Sequence, residues 1–236
     1  MNLVLLGNED FIDKNYVVIQ GRRFKHLISV NKVAKNDRLA CGLLNDKIGT
    51  GLITKISRDF LEMKIHLDTD PPKPLPLTLL LALPRPKMLK RIIESVTSMG
   101  VKQIYLINSW RVEKSFWQSP WLNEDHLRKQ MVLGLEQSRD TVLPQIHQKR
   151  FFTRFVNEEL PLISKNTLCM TAHPKTPTLC PSGVNKAITL AVGPEGGFID
   201  IEVQTLEKQG FFSCHIGQRI LKVETAVTYL ISRLYS

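Results

Sequence analysis

The sequence offers little to a membrane, a disulfide framework or a metal ion. Across 236 residues no apolar stretch approaches the ~18–20 residues of a membrane helix; the longest, 75–83 and 187–192, suit buried strands. Residues 1–6 lack a basic n-region and a cleavage site, so no signal peptide is read. Four cysteines, Cys41, Cys169, Cys180 and Cys214, lie far apart, which points to a reducing compartment, the cytoplasm by default. His-Glu-x-x-His and paired Cys-x-x-Cys motifs are missing, and Cys169/His173 and Cys214/His215 read as isolated structural residues, so no metal is expected. No Gly-x-Gly-x-x-Gly follows a strand and no Walker loop occurs, which removes the main support for a Rossmann-type cofactor site.

What is present is an ordinary globular composition, 43% hydrophobic and 23% charged, with an excess of positive charge. Lys and Arg number 32 against 22 Asp and Glu, a net +10. Such an excess favours a polyanionic partner: RNA, DNA or an acidic membrane. The segment Asp70-Pro71-Pro72-Lys73-Pro74-Leu75-Pro76 reads as a stiff linker, because proline supplies neither ladder donors nor helical geometry. It divides the chain into domains 1–72 and 73–236, both with surplus cations.

The first part reads as short strands at 2–6, 16–19, 38–43, 51–57 and 60–67, with one short helix over 21–30, the pattern of a small barrel. The second part alternates strands and helices: apolar strand 77–83, helix 87–99 stopped by Gly100, strand 102–107, and a helix capped by Asn123. Strands 167–172 and 187–192, helix 201–209, strand 211–216 and an amphipathic last helix from Val223 follow. This alternation means an α/β fold with a mostly parallel sheet.

The informative stretch is Ala187–Gly197, in which an apolar strand enters the loop Gly193-Pro194-Glu195-Gly196-Gly197. Glycine permits positive φ and close ligand approach, and a loop at the carboxyl end of a parallel strand suits a small-ligand pocket. The plain alternative is a tight turn. Strand 211–216 ends similarly, in Gly217-Gln218-Arg219, and a third strand ends at Ala172-His173-Pro174. Together these ends could form one pocket in which backbone groups bind an adenine between Val192, Ile216, Ile220 and Leu221.

Val192-Gly193-Pro194-Glu195-Gly196-Gly197, followed by Ile216-Gly217-Gln218-Arg219-Ile220-Leu221-Lys222-Val223-Glu224-Thr225-Ala226, resembles the signature pair of the SPOUT methyltransferases in their RsmE-type form. Upstream, Thr97-Ser98-Met99-Gly100-Val101 and Glu136-Gln137-Ser138-Arg139 with Pro144 resemble further family segments. His26-Leu27 through Val30 and Asn36-Asp37 resemble its PUA-like barrel. The resemblance implies a C-terminal SPOUT parallel-sheet domain with a trefoil knot, preceded by a small PUA-like β-barrel that binds RNA. It implies S-adenosylmethionine (SAM) as cofactor, held by Met170, Ala172, Val192, Gly193, Pro194, Glu195, Gly196, Gly197, Ile216, Gly217, Ile220 and Leu221. It further implies methylation of N3 of one uridine in 16S rRNA of the small ribosomal subunit, and a homodimer through the SPOUT domain. The family usually carries Arg where Lys222 stands, often Glu where Ser98 stands, and Arg where Asn2-Leu3 follows Met1. Lys222 keeps the charge but lacks the bidentate fork.

Uridine N3 is a poor nucleophile until its proton leaves, and the resulting charge on O2 and O4 calls for a cation. Arg219 and Lys222 are the catalytic candidates and Arg139 a weaker one; their alternative is a solvated loop cation or a partner of Glu224. Glu195 reads as a loop clamp through backbone amides, with general base as the alternative. RNA phosphate contacts are assigned to Arg85, Lys87, Lys90 and Arg91 at a helix start, and to Arg22, Arg23, Lys25 and Lys32 in the first domain, with Arg139 alongside; such clusters are otherwise solvated faces. Trp110, Trp117 and Trp121 are assigned to core packing, with stacking on an extruded base as the alternative. Two other classes stay open: a non-catalytic RNA-binding or assembly factor that kept the fold, and an α/β enzyme acting on a small nucleotide.

Overall fold

Alternation of side chains along Phe60–Thr69 buries Leu61, Met63 and Ile65 at 5% exposure or less, the period-2 pattern of a strand with one face on a core. The computed structural model describes residues 1–236, which form two units. The first comprises Met1–Lys73 and Met131–Leu143, the second Pro74–Gln130 and Pro144–Ser236.

In the first unit, strands β1 (Val4–Leu6), β2 (Phe11–Asp13), β3 (Tyr16–Gln20), β4 (Arg38–Leu43), β5 (Ile48–Ile56) and β6 (Phe60–Thr69) form one barrel-like sheet, ordered β1-β4-β5-β6-β3-β2. Only β1 and β4 run parallel. Its core collects Leu6, Val17, Ile19, Leu27, Ile53, Leu61 and Met63. The short helix α1 (Gly21–His26) runs into one wide turn to Asn31, ended by Lys32 in the left-handed region. Strand β2 was not expected from the sequence. Its Phe-Ile-Asp run is mostly exposed at the sheet edge and follows the acidic Asn8-Glu9-Asp10 turn, so it carries almost no apolar alternation.

Arg23 holds this unit together. Its guanidinium donates to both Asp10 carboxylate oxygens at 2.7 and 2.6 Å and to the Leu5 carbonyl at 2.6 Å, while Asp10 also accepts the Gly7 amide. Burial opposes the Arg23 charge, yet the hydrogen bond and charge of Asp10 outweigh it and raise its pKa. Arg22 donates to both oxygens of the buried Glu136. The Glu136 carbonyl receives the amides of Asn2 and Leu3, and Leu135 packs on Leu3 and Leu5.

The second unit is built on an all-parallel sheet. Strands β7 (Leu77–Ala82), β8 (Gln103–Ile107), β9 (Gln145–Lys149), β10 (Leu168–Ala172), β11 (Ile188–Val192) and β12 (Phe212–Cys214) lie in the order β12-β10-β11-β7-β8-β9. The central pair β11 and β7 is buried on both faces, which explains their unbroken apolar runs. The edge strand β9, Gln-Ile-His-Gln-Lys, is too polar to be read as a strand from its sequence.

Helix α2 (Pro86–Ser98) buries Leu89, Ile92, Ile93 and Val96 and starts with proline at its first turn, where the missing amide costs nothing. Helix α3 (Glu124–Ser138) begins where Asn123 Oδ1 accepts the Asp125 amide at 2.9 Å. Short helices α4 (Phe152–Arg154) and α5 (Leu160–Ile163) precede β10, and α6 (Asp200–Lys208) and α7 (Val223–Tyr235) flank β12. Helix α7 packs on α2 and buries Val223, Val227, Leu230, Ile231 and Leu234. The long 173–187 loop pairs Leu179 with His215, and its Val184 amide donates to the Leu234 carbonyl. All four cysteines are free thiols. No helix is long and apolar enough to cross a membrane, and no group of three His, Cys, Asp or Glu side chains is placed to hold a metal.

Candidate active site

Because β10, β11 and β12 are parallel neighbours, their carboxyl ends open on one edge of the sheet, the position where open α/β sheets bind ligands. The three following loops enclose a cleft of about 270 Å³. Ala172 and His173 supply one side, Val192 through Gly197 the second, and Cys214 through Gly217 with Arg219–Leu221 the third; Val223, Ala226 and Leu230 of α7 close it. The sequence-assigned residues Ala172, Val192, Gly193, Pro194, Glu195, Gly196, Gly197, Ile216, Gly217, Arg219, Ile220 and Leu221 therefore meet at one place.

Three assigned residues do not. Met170 is fully buried within β10, two positions before the strand end, and does not line the cleft. Its side chain belongs to the core. Lys222, exposed at the start of α7, is also outside the lining. Arg139 belongs to the first unit, where it follows α3 in the left-handed conformation.

The Pro194–Gly197 loop is a tight turn: the Gly197 amide donates to the Pro194 carbonyl at 2.7 Å, with Gly197 at φ 72°. A Cβ on Gly193 would lie 2.8 Å from the Phe198 nitrogen and 3.1 Å from Gly197 backbone atoms, so the turn closes only over a glycine. Glu195 Oε1 accepts the Arg85 amide at 3.0 Å, fastening the loop to the residue that precedes α2. This is the clamp geometry.

Two polar groups here were not singled out as site residues from the sequence. Arg111 Nη1 donates to the Gly196 carbonyl; it comes from an aperiodic stretch 85 residues away, and no local signal marks it. His173 Nδ1 is buried in the lining without a partner. Burial lowers the His173 pKa, with Lys175 adding to the effect and Asp200 and Glu207 opposing it. The imidazole is thus neutral near neutral pH and offers an unused hydrogen-bonding edge. The Gly217 amide donates to His215 Nδ1 at 3.0 Å, ordering the third loop.

The assigned cations divide in two. Arg85, Lys87, Lys90 and Arg91 are exposed around the start of α2, with Lys90 Nζ 5.3 Å from the Trp121 ring centroid. In the first unit Lys25 and Lys32 are exposed, whereas Arg22 and Arg23 are engaged by Glu136 and Asp10. Arg23 in particular is a structural residue, because its fork is already filled. The tryptophans also depart from the expected core packing. Trp110 is 79% and Trp121 36% exposed, while the Trp117 indole donates to Asn108 Oδ1.

Residues 71–235 match the family model described as the RNA methyltransferase domain. The chain belongs to that family. Over 96% of its length it is 27% identical to "Ribosomal RNA small subunit methyltransferase E 1" of Borreliella burgdorferi, covering 94% of that protein. It is 26% identical to "Ribosomal RNA small subunit methyltransferase E" of Treponema pallidum, covering 96% of this chain and 87% of the relative. Among solved structures, the Neisseria gonorrhoeae ribosomal RNA small subunit methyltransferase E bound to S-adenosyl methionine superposes with a TM-score of 0.73, at 20% identity over 98% of this chain and 95% of the other. That likeness shows the fold: one unit built on a parallel sheet and one built on a barrel-like sheet. In this RNA methyltransferase-family chain, the cleft at the three strand ends lies wholly within the matched region.

Proposed function

We propose that this chain is an RsmE-type enzyme that transfers a methyl group from SAM to N3 of a uridine in small-subunit ribosomal RNA. The observation that carries the reading is the convergence of three strand-end loops of an RNA methyltransferase-family domain on one cleft with apolar walls and open backbone groups.

The residues present fit an adenosyl group. Val192, Ile216, Ile220 and Leu221 supply faces for a planar ring. Backbone at Gly197 and Gly217, where an added Cβ would meet nothing within 4 Å, leaves room for close approach. The unpartnered His173 Nδ1 supplies a hydrogen-bonding edge. When bound, SAM supplies an electrophilic sulfonium methyl. The protein's task is then alignment and charge stabilisation. Arg219, exposed on the cleft rim, faces the charge that develops on a uracil carbonyl as the N3 proton leaves. Lys222, one turn of chain further on, contacts the RNA outside the cleft. Glu195 and Arg111 hold the 193–197 loop, and Arg85, Lys87, Lys90 and Arg91 bind phosphates, which position the RNA without reading its sequence.

Residues 1–72, with 131–143 packed into the same unit, serve RNA binding through Lys25 and Lys32, and the rest of 73–236 serves catalysis. The pairing of the 173–187 loop with both His215 and the end of α7 supports a knotted chain path. The exposed side of α2 and α7, where Arg91 and Glu94 adjoin Glu224, Thr225 and Thr228, serves a homodimer. The four free thiols suit the cytoplasm. Incubation with methyl-labelled SAM and small subunits lacking the modification, followed by nucleoside analysis, tests the reading: label in 3-methyluridine supports it. Label in another nucleoside rejects the target, and no incorporation with no SAM binding rejects the activity.

A further inference from the structure

A second recess lies beside the cleft. It has a volume of about 620 Å³ and is lined by residues 108–110, 150–154, Ile199, Ile201 and Glu202. Three large apolar side chains stand open to water on it: Trp110 at 79%, Phe151 at 71% and Ile201 at 65% exposure. An apolar concentration of this kind marks an interaction site. We infer that this recess binds an unpaired nucleobase of the RNA substrate, next to the nucleotide that enters the cleft. The inference rests on the function proposed above and adds a subsite to it.

The chemistry favours RNA over a protein partner. The aromatic rings of Trp110 and Phe151 come with two guanidinium groups, Arg150 and Arg154, in the same lining. Rings that stack on bases beside cations that follow the phosphates are the combination by which single strands are held. Arg150 already lies over the Trp117 ring, 5.5 Å from its centroid, and Arg154 is paired only with the exposed Glu158 across one helical turn. The recess floor holds an unused polar group: Ser109 is 2% exposed and its hydroxyl has no hydrogen-bond partner. A base edge would supply one. The platform is also held rigid, because Glu202 accepts the Trp110 amide at 2.7 Å through one oxygen and the Ile199 amide at 3.0 Å through the other.

The two sites share one stretch of chain. Residues 193–197 form a wall of the cleft, and Ile199, Ile201 and Glu202 form a wall of the recess. On the opposite side Trp110 lines the recess while its neighbour Arg111 binds the Gly196 carbonyl. A strand of RNA placing one base in the cleft thus finds the stacking surface adjacent.

The test uses the full chain, a single-stranded oligouridylate and an RNA duplex of equal length, with binding read by fluorescence anisotropy. Trp110→Ala and Phe151→Ala should each weaken oligouridylate binding about tenfold, the loss typical of one stacked base, and leave duplex binding unchanged. Trp110→Phe should restore most of the loss, and both side chains are exposed enough that folding is unaffected. SAM affinity, measured by calorimetry on the same samples, should not change. Equal loss for duplex and single strand, or no loss at all, overturns the subsite. So does conversion of a dimer to a monomer by these substitutions, which would make the recess a protein interface. If the unsubstituted chain fails to bind SAM, the proposed function falls, whereas intact SAM binding with unaltered RNA binding in the variants rejects only the subsite.

Discussion

Glu195→Gln separates the two roles open to the acid of the Pro-Glu-Gly-Gly turn. The structure shows Oε1 accepting the Arg85 amide at 3.0 Å. Glutamine keeps an acceptor oxygen at that position and removes the charge. A hydrogen bond to an ionised group contributes roughly 1.5–3 kcal/mol and a neutral one roughly 0.5–1.5. Glu195 is exposed, so the difference belongs at the low end, about 1 kcal/mol or a fivefold effect. A clamp therefore predicts a fall in kcat/KM of no more than about fivefold for Glu195→Gln, accompanied by a matching loss of SAM affinity as the loop loosens. Glu195→Ala, which removes the acceptor altogether, should cost more in both. A general base predicts something different, a drop of roughly 10²–10⁴ in kcat with SAM binding intact. Labelled methyl transfer to unmodified small subunits gives kcat and KM, and calorimetry gives the cofactor affinity. A hundredfold loss of kcat in Glu195→Gln at unchanged SAM affinity would refute the clamp.

Gly193→Ala should lower SAM affinity more than Gly197→Ala, since its Cβ meets backbone at 2.8 Å whereas Gly197 suffers only from its positive φ; equal effects by calorimetry would contradict the turn geometry. Arg23→Ala should destabilise the first unit by roughly 3–5 kcal/mol, because it strands the 6%-exposed Asp10 carboxylate, and denaturant unfolding should show Asp10→Asn to be milder. His173 and His147 both have pKa values below the ordinary 6.5, chiefly through burial. Below pH 6.5 the unfolded chain takes up protons that the folded chain resists, so stability should fall with pH in that window and stay flat above it. His173→Asn should remove part of that slope in Tm-against-pH measurements, and an unchanged slope would show the imidazole to be solvated.

The legible and illegible parts of this chain differ in how local their causes are. Strands β7 and β11 and helices α2 and α7 were readable because burial imposes a period or an unbroken apolar run on adjacent residues. The cleft was readable for a related reason: its glycines and its strand ends are contiguous in sequence. Strand β9 was invisible, since an edge strand needs only a partner for its backbone and Gln-Ile-His-Gln-Lys meets that requirement without apolar alternation. Arg111 and Glu202 act across 85 and 92 residues of chain, and no short-range pattern encodes such a contact. Charge was the least legible property. Arg22 and Arg23 look like Lys25 and Lys32 in sequence, yet buried carboxylates engage both: Glu136 pairs with the still-exposed Arg22, and Asp10 makes Arg23 an internal strut.

That conversion bears on how the basic surface works. A cation whose fork is filled by Asp10 releases no counterion when RNA binds, so it adds nothing to the salt dependence of affinity. The formal charge of +10 therefore overstates the charge available to a phosphate backbone. The exposed group around α2, Arg85, Lys87, Lys90 and Arg91, should carry most of the slope of binding against salt. Alanine at each should reduce that slope by up to about one log–log unit per lost phosphate contact, and Arg23→Lys by none. Lys90 is the discriminating member, because its ammonium already faces the Trp121 ring at 5.3 Å. If it is held there, its alanine variant will leave the salt slope almost untouched while Lys87→Ala lowers it, and equal slopes for those two variants would show that the ring does not hold the ammonium away from RNA.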